Sequence, residues 1–105
     1  MNPEVEVKII DILNKISKHY NLNYVFENLD DKQKFVDELE IVDVDLCKLL
    51  KDHLILFESY KFIKSDRTLM FKARDIWKIE LDHFVASLKS SEEEICAYFN
   101  EKGIE

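Results

Sequence analysis

Glycine and proline are almost missing from this chain: Gly103 and Pro3 are the single representatives in 105 residues, and both lie near the ends. One C-terminal glycine cannot build a phosphate-cradling loop, so a P-loop and a dinucleotide-binding turn are excluded. Sharp turns must be made by Asn, Asp and Ser. The long stretches without breakers favour helices over a many-stranded sheet. Cysteine is scarce too. Cys47 and Cys96 are far apart and form no CxxC pair, and they read as two buried, reduced thiols of a cytosolic protein. No apolar run approaches the length of a membrane span, and no basic-then-apolar leader opens the sequence. The expected location is a bacterial cytoplasm or a host cell's cytosol, with no membrane attachment.

Catalytic signatures are lacking as well. His19, His53 and His83 fall on three different expected helices, in neither an HExxH nor a Cys/His zinc spacing. His53 sits on an apolar face and reads as a satisfied core or interface histidine. No GxSxG elbow is present. Asp43-Val-Asp45 alternates carboxylates as a calcium loop does, but it lacks the following glycine and the distal glutamate. Asp43 is better explained as a helix cap. The reading is of a chain that uses no metal, no cofactor and no catalytic machinery.

What is present is apolar and charged material in quantity. Hydrophobic residues make up 47% of the chain, with seven Phe, four Tyr and one Trp. That is enough to close the core of a single domain over residues 1–105 without staples. Asn2 and Pro3 open a first helix, with Val5, Ile9, Ile12, Leu13, Ile16 and Tyr20 on one face, and Asn21 to Asn23 end it. Tyr24-Val-Phe26 is a brief strand or a plug into the core. Asp30 with Gln33 forms a capping box for a short helix that turns Phe35, Val36 and Leu39 inward and ends near Glu40. Asp43 caps a third helix, in which Leu46, Leu49, Leu50, His53, Leu54 and Phe57 keep helical spacing. Ile55 and Leu56 widen its apolar surface, so burial on more than one side is expected.

Residues 61–72 read as a β-hairpin around Ser65-Asp66-Arg67, because Ser-Asp forms turns and the flanks are aromatic and β-branched; helix, loop, helix is the other option. Asp75 caps the next helix, with Trp77, Leu81, Phe84, Val85 and Leu88 on one face. Ser91 with Glu94 opens a last one, with Ile95, Tyr98 and Phe99 inward and Gly103 as its stop. The fold class expected is mainly α: a compact bundle of about five helices with a small hairpin, and a winged-helix-like arrangement as the alternative.

Charge is the most informative feature. The net charge is −7, unevenly spread. Residues 27–45 hold eight acids against two lysines, residues 79–105 seven acids against two lysines, and residues 61–78 six bases against two acids. Two functional expectations follow. In the first, a non-enzymatic acidic protein docks Glu27, Asp30, Asp31, Asp37, Glu38 and Glu40 on the basic surface of a protein partner and modulates or inhibits it. A nucleic-acid-handling enzyme or a toxin offers such a surface, and Tyr24 and Phe26 are candidate anchors. In the second, the order of elements over residues 31–73 resembles a winged-helix domain, which implies a nucleic-acid binder with Lys61, Lys64, Arg67, Lys72 and Arg74 on one exposed face. The recognition helix of that reading opens on Asp43 and Asp45, which phosphates would repel. Homodimerisation through the apolar 46–57 helix is a further expectation.

Overall fold

A computed structural model describes residues 3–105, and within them five α-helices and no strand: α1 (Pro3–Tyr20), α2 (Gln33–Val42), α3 (Val44–Lys64), α4 (Arg67–Lys72) and α5 (Arg74–Lys102). The mainly helical class is as expected. The described residues divide into two units, one made of residues 3–48 together with Cys96–Glu105, the other of Leu49–Ile95.

In the first unit, α1 buries Ile9, Ile12, Leu13 and Ile16, the expected apolar face. The proposed cap Asn2 lies outside the described residues. The helix stops at Asn21, which takes a left-handed φ of 60° while the Leu22 N–H donates to the Ser17 carbonyl at 2.9 Å. Asparagine adopts that region more readily than most residues, so it replaces the glycine the chain lacks. Tyr24–Phe26 is a plug, not a strand. Its backbone finds ladder partners in α1 side chains: the Phe26 N–H donates to Asn14 Oδ1 at 2.7 Å, and the Tyr24 N–H to Ser17 Oγ at 2.9 Å. Asn14 Nδ2 and the Ser17 hydroxyl donate back to the Phe26 and Tyr24 carbonyls. Phe26 is thereby buried edge-on against Phe35, with ring centroids 5.1 Å apart.

The expected Asp30–Gln33 capping box does not form. α2 starts one residue after Lys32, which gives no side-chain cap, and Gln33 Nε2 instead donates to Asp37 Oδ1 at 2.9 Å. Phe35, Val36 and Leu39 are buried as expected. Asp43 alone separates α2 from α3 and caps the latter, its Oδ1 accepting the Leu46 N–H at 3.1 Å. At the far end of α5, Gly103 has φ of 69° and the Ile104 N–H reaches back to the Phe99 carbonyl at 2.9 Å, a six-to-one closure that buries Ile104.

In the second unit the expected hairpin at 61–72 is replaced by helix. α3 continues to Lys64, and the Ser65 N–H still donates to the Lys61 carbonyl at 3.1 Å. Lys61 ties itself to its own helix, 3.0 Å from Glu58 and over the Phe57 ring. Asp66 then caps α4 by accepting the Leu69 N–H at 3.0 Å. The turn chemistry of Ser65-Asp66 was real, but it serves a helix start. Without strands there is no wing, so the winged-helix arrangement is not formed. Ala73 alone separates α4 from α5, and Trp77 Nε1 donates to the Ile63 carbonyl at 2.8 Å, fastening the first turns of α5 to the end of α3.

Three further expectations are corrected. α5 runs unbroken through Ser90 and Ser91, and Asp75 lies inside its first turn instead of capping it. Ile55 is exposed and Leu56 half-buried, so Ile55 does not widen the buried surface of α3. Cys96 is exposed while Cys47 is buried, and neither is in a disulfide. Among the described residues, no helix is long and apolar enough to cross a membrane.

Candidate functional site

The first unit carries the acidic segment, with Lys32 and Lys34 among its carboxylates. Glu27, Asp30, Asp31, Asp37, Glu38 and Glu40 are all exposed. Glu27, Asp30 and Asp31 belong to the bend before α2, where the Asp30 N–H donates to Asn28 Oδ1 at 2.9 Å. Asp37, Glu38 and Glu40 project from α2 away from the buried Phe35, Val36 and Leu39. Tyr24 joins the two groups. A hydrogen bond to Glu38 raises the pKa of its phenol, with partial burial and the charges of Glu38 and Asp31 adding to the effect. Asp31 and Glu38 therefore both lie close to one phenol.

Apolar side chains interrupt this segment. Val25, next to Tyr24, is 87% exposed, and Ile41, one turn beyond Glu38, is 85% exposed. Val42 and Val44 are exposed too. Of the two anchors expected from the sequence, Phe26 is buried and Tyr24 half-buried. Val25 and Ile41 went unnoticed in the sequence. Ile41 falls outside the Phe35–Val36–Leu39 stripe, and that phase was the available signal.

Asp43, at the end of this segment, is committed to the fold. Its carboxylate accepts the hydroxyl protons of Tyr20 and Tyr98. Burial acts to raise its pKa, but the hydrogen bonds from Tyr20, Tyr98 and the Leu46 N–H, with the charge of Lys102, outweigh this and lower it. Burial first and Asp43 second push the Tyr20 phenol up to about 12, and the same causes raise Tyr98. A carboxylate saturated by three donors and held below its ordinary range is poorly suited to general-base work near neutral pH.

The second unit holds the basic segment, whose members are distributed over the end of α3, α4 and the start of α5. Lys61 is held by Glu58 and Phe57, while Lys64 lies over the Tyr60 ring and donates to its hydroxyl at 3.3 Å. Arg67, Lys72 and Arg74 are exposed on α4 and the start of α5. Phe71 is 80% exposed and Phe62 is 70% exposed beside them in the chain. In the hairpin reading these aromatics were strand residues; helical phase places Phe71 one turn from Arg67.

His53 is 3% exposed, with Nδ1 3.0 Å from the Ser91 hydroxyl. Burial lowers its pKa, opposed by the charge of Glu92. A serine beside a histidine has the elements of a nucleophile and its base; here His53 is buried and Ser91 half-buried, and the contact gives the buried ring nitrogen a partner. His19 and His83 are exposed. No group of three or more His, Cys, Asp or Glu among the described residues is placed to hold a metal ion.

No protein-family model, curated protein or solved structure matches the chain.

Proposed function

We propose that the protein is a non-enzymatic interaction module that docks its 27–45 face on a basic surface of a protein partner and modulates that partner. The observation that carries this reading is the composition of the segment: six exposed carboxylates, with the highly exposed Val25 and Ile41 among them in the chain. Carboxylates alone steer and orient a partner; exposed apolar side chains among them supply the desolvated contacts that hold it. Tyr24, already hydrogen-bonded to Glu38, gives the face a stiff aromatic edge with little rotamer entropy left to lose. The partner surfaces that fit are those evolved for phosphates, on nucleic-acid-handling enzymes or toxins.

The competing reading, a nucleic-acid-binding regulator using Lys61, Lys64, Arg67, Lys72 and Arg74, has less behind it. Its wing is helix, and two of its five cations are engaged within α3.

Capture from native-host extract tests the docking reading. The wild type is compared with Asp30→Asn, Asp31→Asn, Asp37→Asn and Glu38→Gln combined, at low and high ionic strength. Proteins that depend on the acidic face are lost from the variant and weakened by salt. A captured set that is the same for both forms would sink the proposal. A parallel titration with duplex and single-stranded nucleic acid at low salt tests the competing reading, which predicts binding that weakens steeply as salt rises.

A further inference from the structure

The second acidic segment, residues 79–105, plays no part in the docking of residues 27–45, and most of it lies on α5. Within the unit Leu49–Ile95, α5 turns Trp77, Leu81, Phe84 and Leu88 inward, each buried or half-buried. Its outer side has an order of its own. Ile76, Ile79, His83, Ala86 and Ser90 are all exposed, Ile76 at 56% and Ile79 at 65%. Their spacing alternates three and four residues. That alternation keeps side chains on one narrow stripe of a helix and is the spacing that meets a neighbouring helix. From Ile76 to Ser90, about 21 Å of helix, the stripe carries no Asp, Glu, Lys or Arg, although these make up 35% of the chain. A single exposed isoleucine is ordinary. Two of them, in register with an alanine and a serine small enough to admit another backbone, form a seam.

Charge lies along both edges of this seam. Helical phase sets Asp75, Asp82 and Glu93 on one side and Glu80 and Glu94 on the other, against Lys89 alone. Among the described residues, none of these five carboxylates is in an ion pair. We infer that the stripe is the docking site for an amphipathic helix of a protein partner, one with its own apolar seam of the same spacing and Lys or Arg on both flanks. Charge selects this occupant. A second copy of the chain would set acidic edges against acidic edges. A nucleic acid or an anionic membrane surface would meet the same carboxylates. A helix with basic flanks fits both parts of the surface. Its apolar side chains pack beside Ile76 and Ile79, Ala86 and Ser90 let it approach closely, and its cations pair with the edges. His83 puts a polar step in the middle of the seam, which fixes the register. The stripe belongs to the other unit from residues 27–45 and does not rest on their docking.

Fluorescence anisotropy with three labelled synthetic helices tests it. The first has leucine on its seam and lysine on both flanks. The second keeps the leucines and carries glutamate on the flanks. The third keeps the lysines and carries glutamine on the seam. The wild type binds the first about tenfold or more tightly than either of the others, and salt weakens that binding. Ile79→Glu lowers the affinity for the first helix about tenfold or more. The combined Asn and Gln replacement of Asp30, Asp31, Asp37 and Glu38 leaves it nearly unchanged. The charge-reversal variant D75K/D82K/E94K exchanges the preference: it loses the lysine-flanked helix and gains the glutamate-flanked one, a gain that also shows the variant is folded. Equal binding of the three helices by the wild type overturns the inference. So does Ile79→Glu that binds the first helix as the wild type does. Loss of binding in the 27–45 variant overturns it too, by moving the helix to those residues. Self-association of the wild type in sedimentation velocity that Ile79→Glu abolishes gives the stripe to a second copy, and the inference falls.

Discussion

Two residues, Asp43 and His53, carry more of the structure than their neighbours. Asp43 is at once the only residue between α2 and α3, the cap of α3 and the acceptor for Tyr20 and Tyr98. Asp43→Ala removes all three roles and costs about 2 kcal/mol. Asp43→Asn keeps a capping oxygen but cannot serve both phenols with charge, and costs about half as much. Urea unfolding of the two variants checks the order. His53 has its own pH signature. Its folded pKa lies below the ordinary 6.5, so as pH falls the unfolded chain takes up the proton first. Stability is complete above about 6.5 and declines as pH drops through that value toward the folded pKa. His53→Gln, compared with wild type in unfolding curves at successive pH values, removes the decline in that window. The loss tied to Asp43 comes at lower pH, since its folded pKa lies below 3.8. A wild-type curve flat from neutral pH to below 6 would contradict the assignment to His53.

At the scale of elements, the sequence was legible where apolar spacing decides and opaque where a polar side chain could serve two ends. Ile9, Ile12, Leu13 and Ile16, like Phe35, Val36 and Leu39, were readable because a wrong phase would strand them in water. The stops at Asn21 and Gly103 and the cap at Asp43 were readable because each needs a particular residue type. Asp66 and Ser91 were misread for one reason. Asp and Ser favour turns and helix starts alike, so residue type alone does not settle the choice. Asp66 found the Leu69 N–H and began a helix instead of turning a hairpin. Ser91 found His53, 38 residues away, and stayed inside α5. The clamp that Asn14 and Ser17 place on Tyr24–Phe26 was invisible for the same reason, since its bonds span 12 and 7 residues. The candidate site was half legible. Exposure of Asp37, Glu38 and Glu40 follows from helical phase, whereas Glu27, Asp30 and Asp31 lie in the bend before α2, and the approach of Asp31 and Glu38 to Tyr24 depends on how the loop returns over α1.

For the molecule as a whole, the docking proposal implies that charge serves function at the expense of stability. The unit containing the acidic segment holds thirteen acids against seven bases, and eight of those acids fall within residues 27–45. Like charges at this density repel one another in the folded chain and relax when it unfolds. Folding alone gives no reason for the arrangement, because Asn and Gln would serve in the bend and on the outer side of α2. A docking surface gives one, and it carries a measurable consequence. The combined replacement of Asp30, Asp31 and Asp37 by Asn and Glu38 by Gln removes four charges. It keeps side chains that can still hydrogen-bond to Gln33 and Tyr24. The variant is therefore more stable than the wild type by about 1 kcal/mol at low ionic strength, in the range commonly found when a functional surface is relieved of its charge. The gap narrows as salt screens the repulsion. Thermal unfolding at two ionic strengths reads both effects. A variant equal to or weaker than the wild type at low salt means the carboxylates are balanced within the fold, and the trade between stability and docking does not exist. A more stable variant that has also lost its captured partner places the cost and the use of these charges on the same four residues.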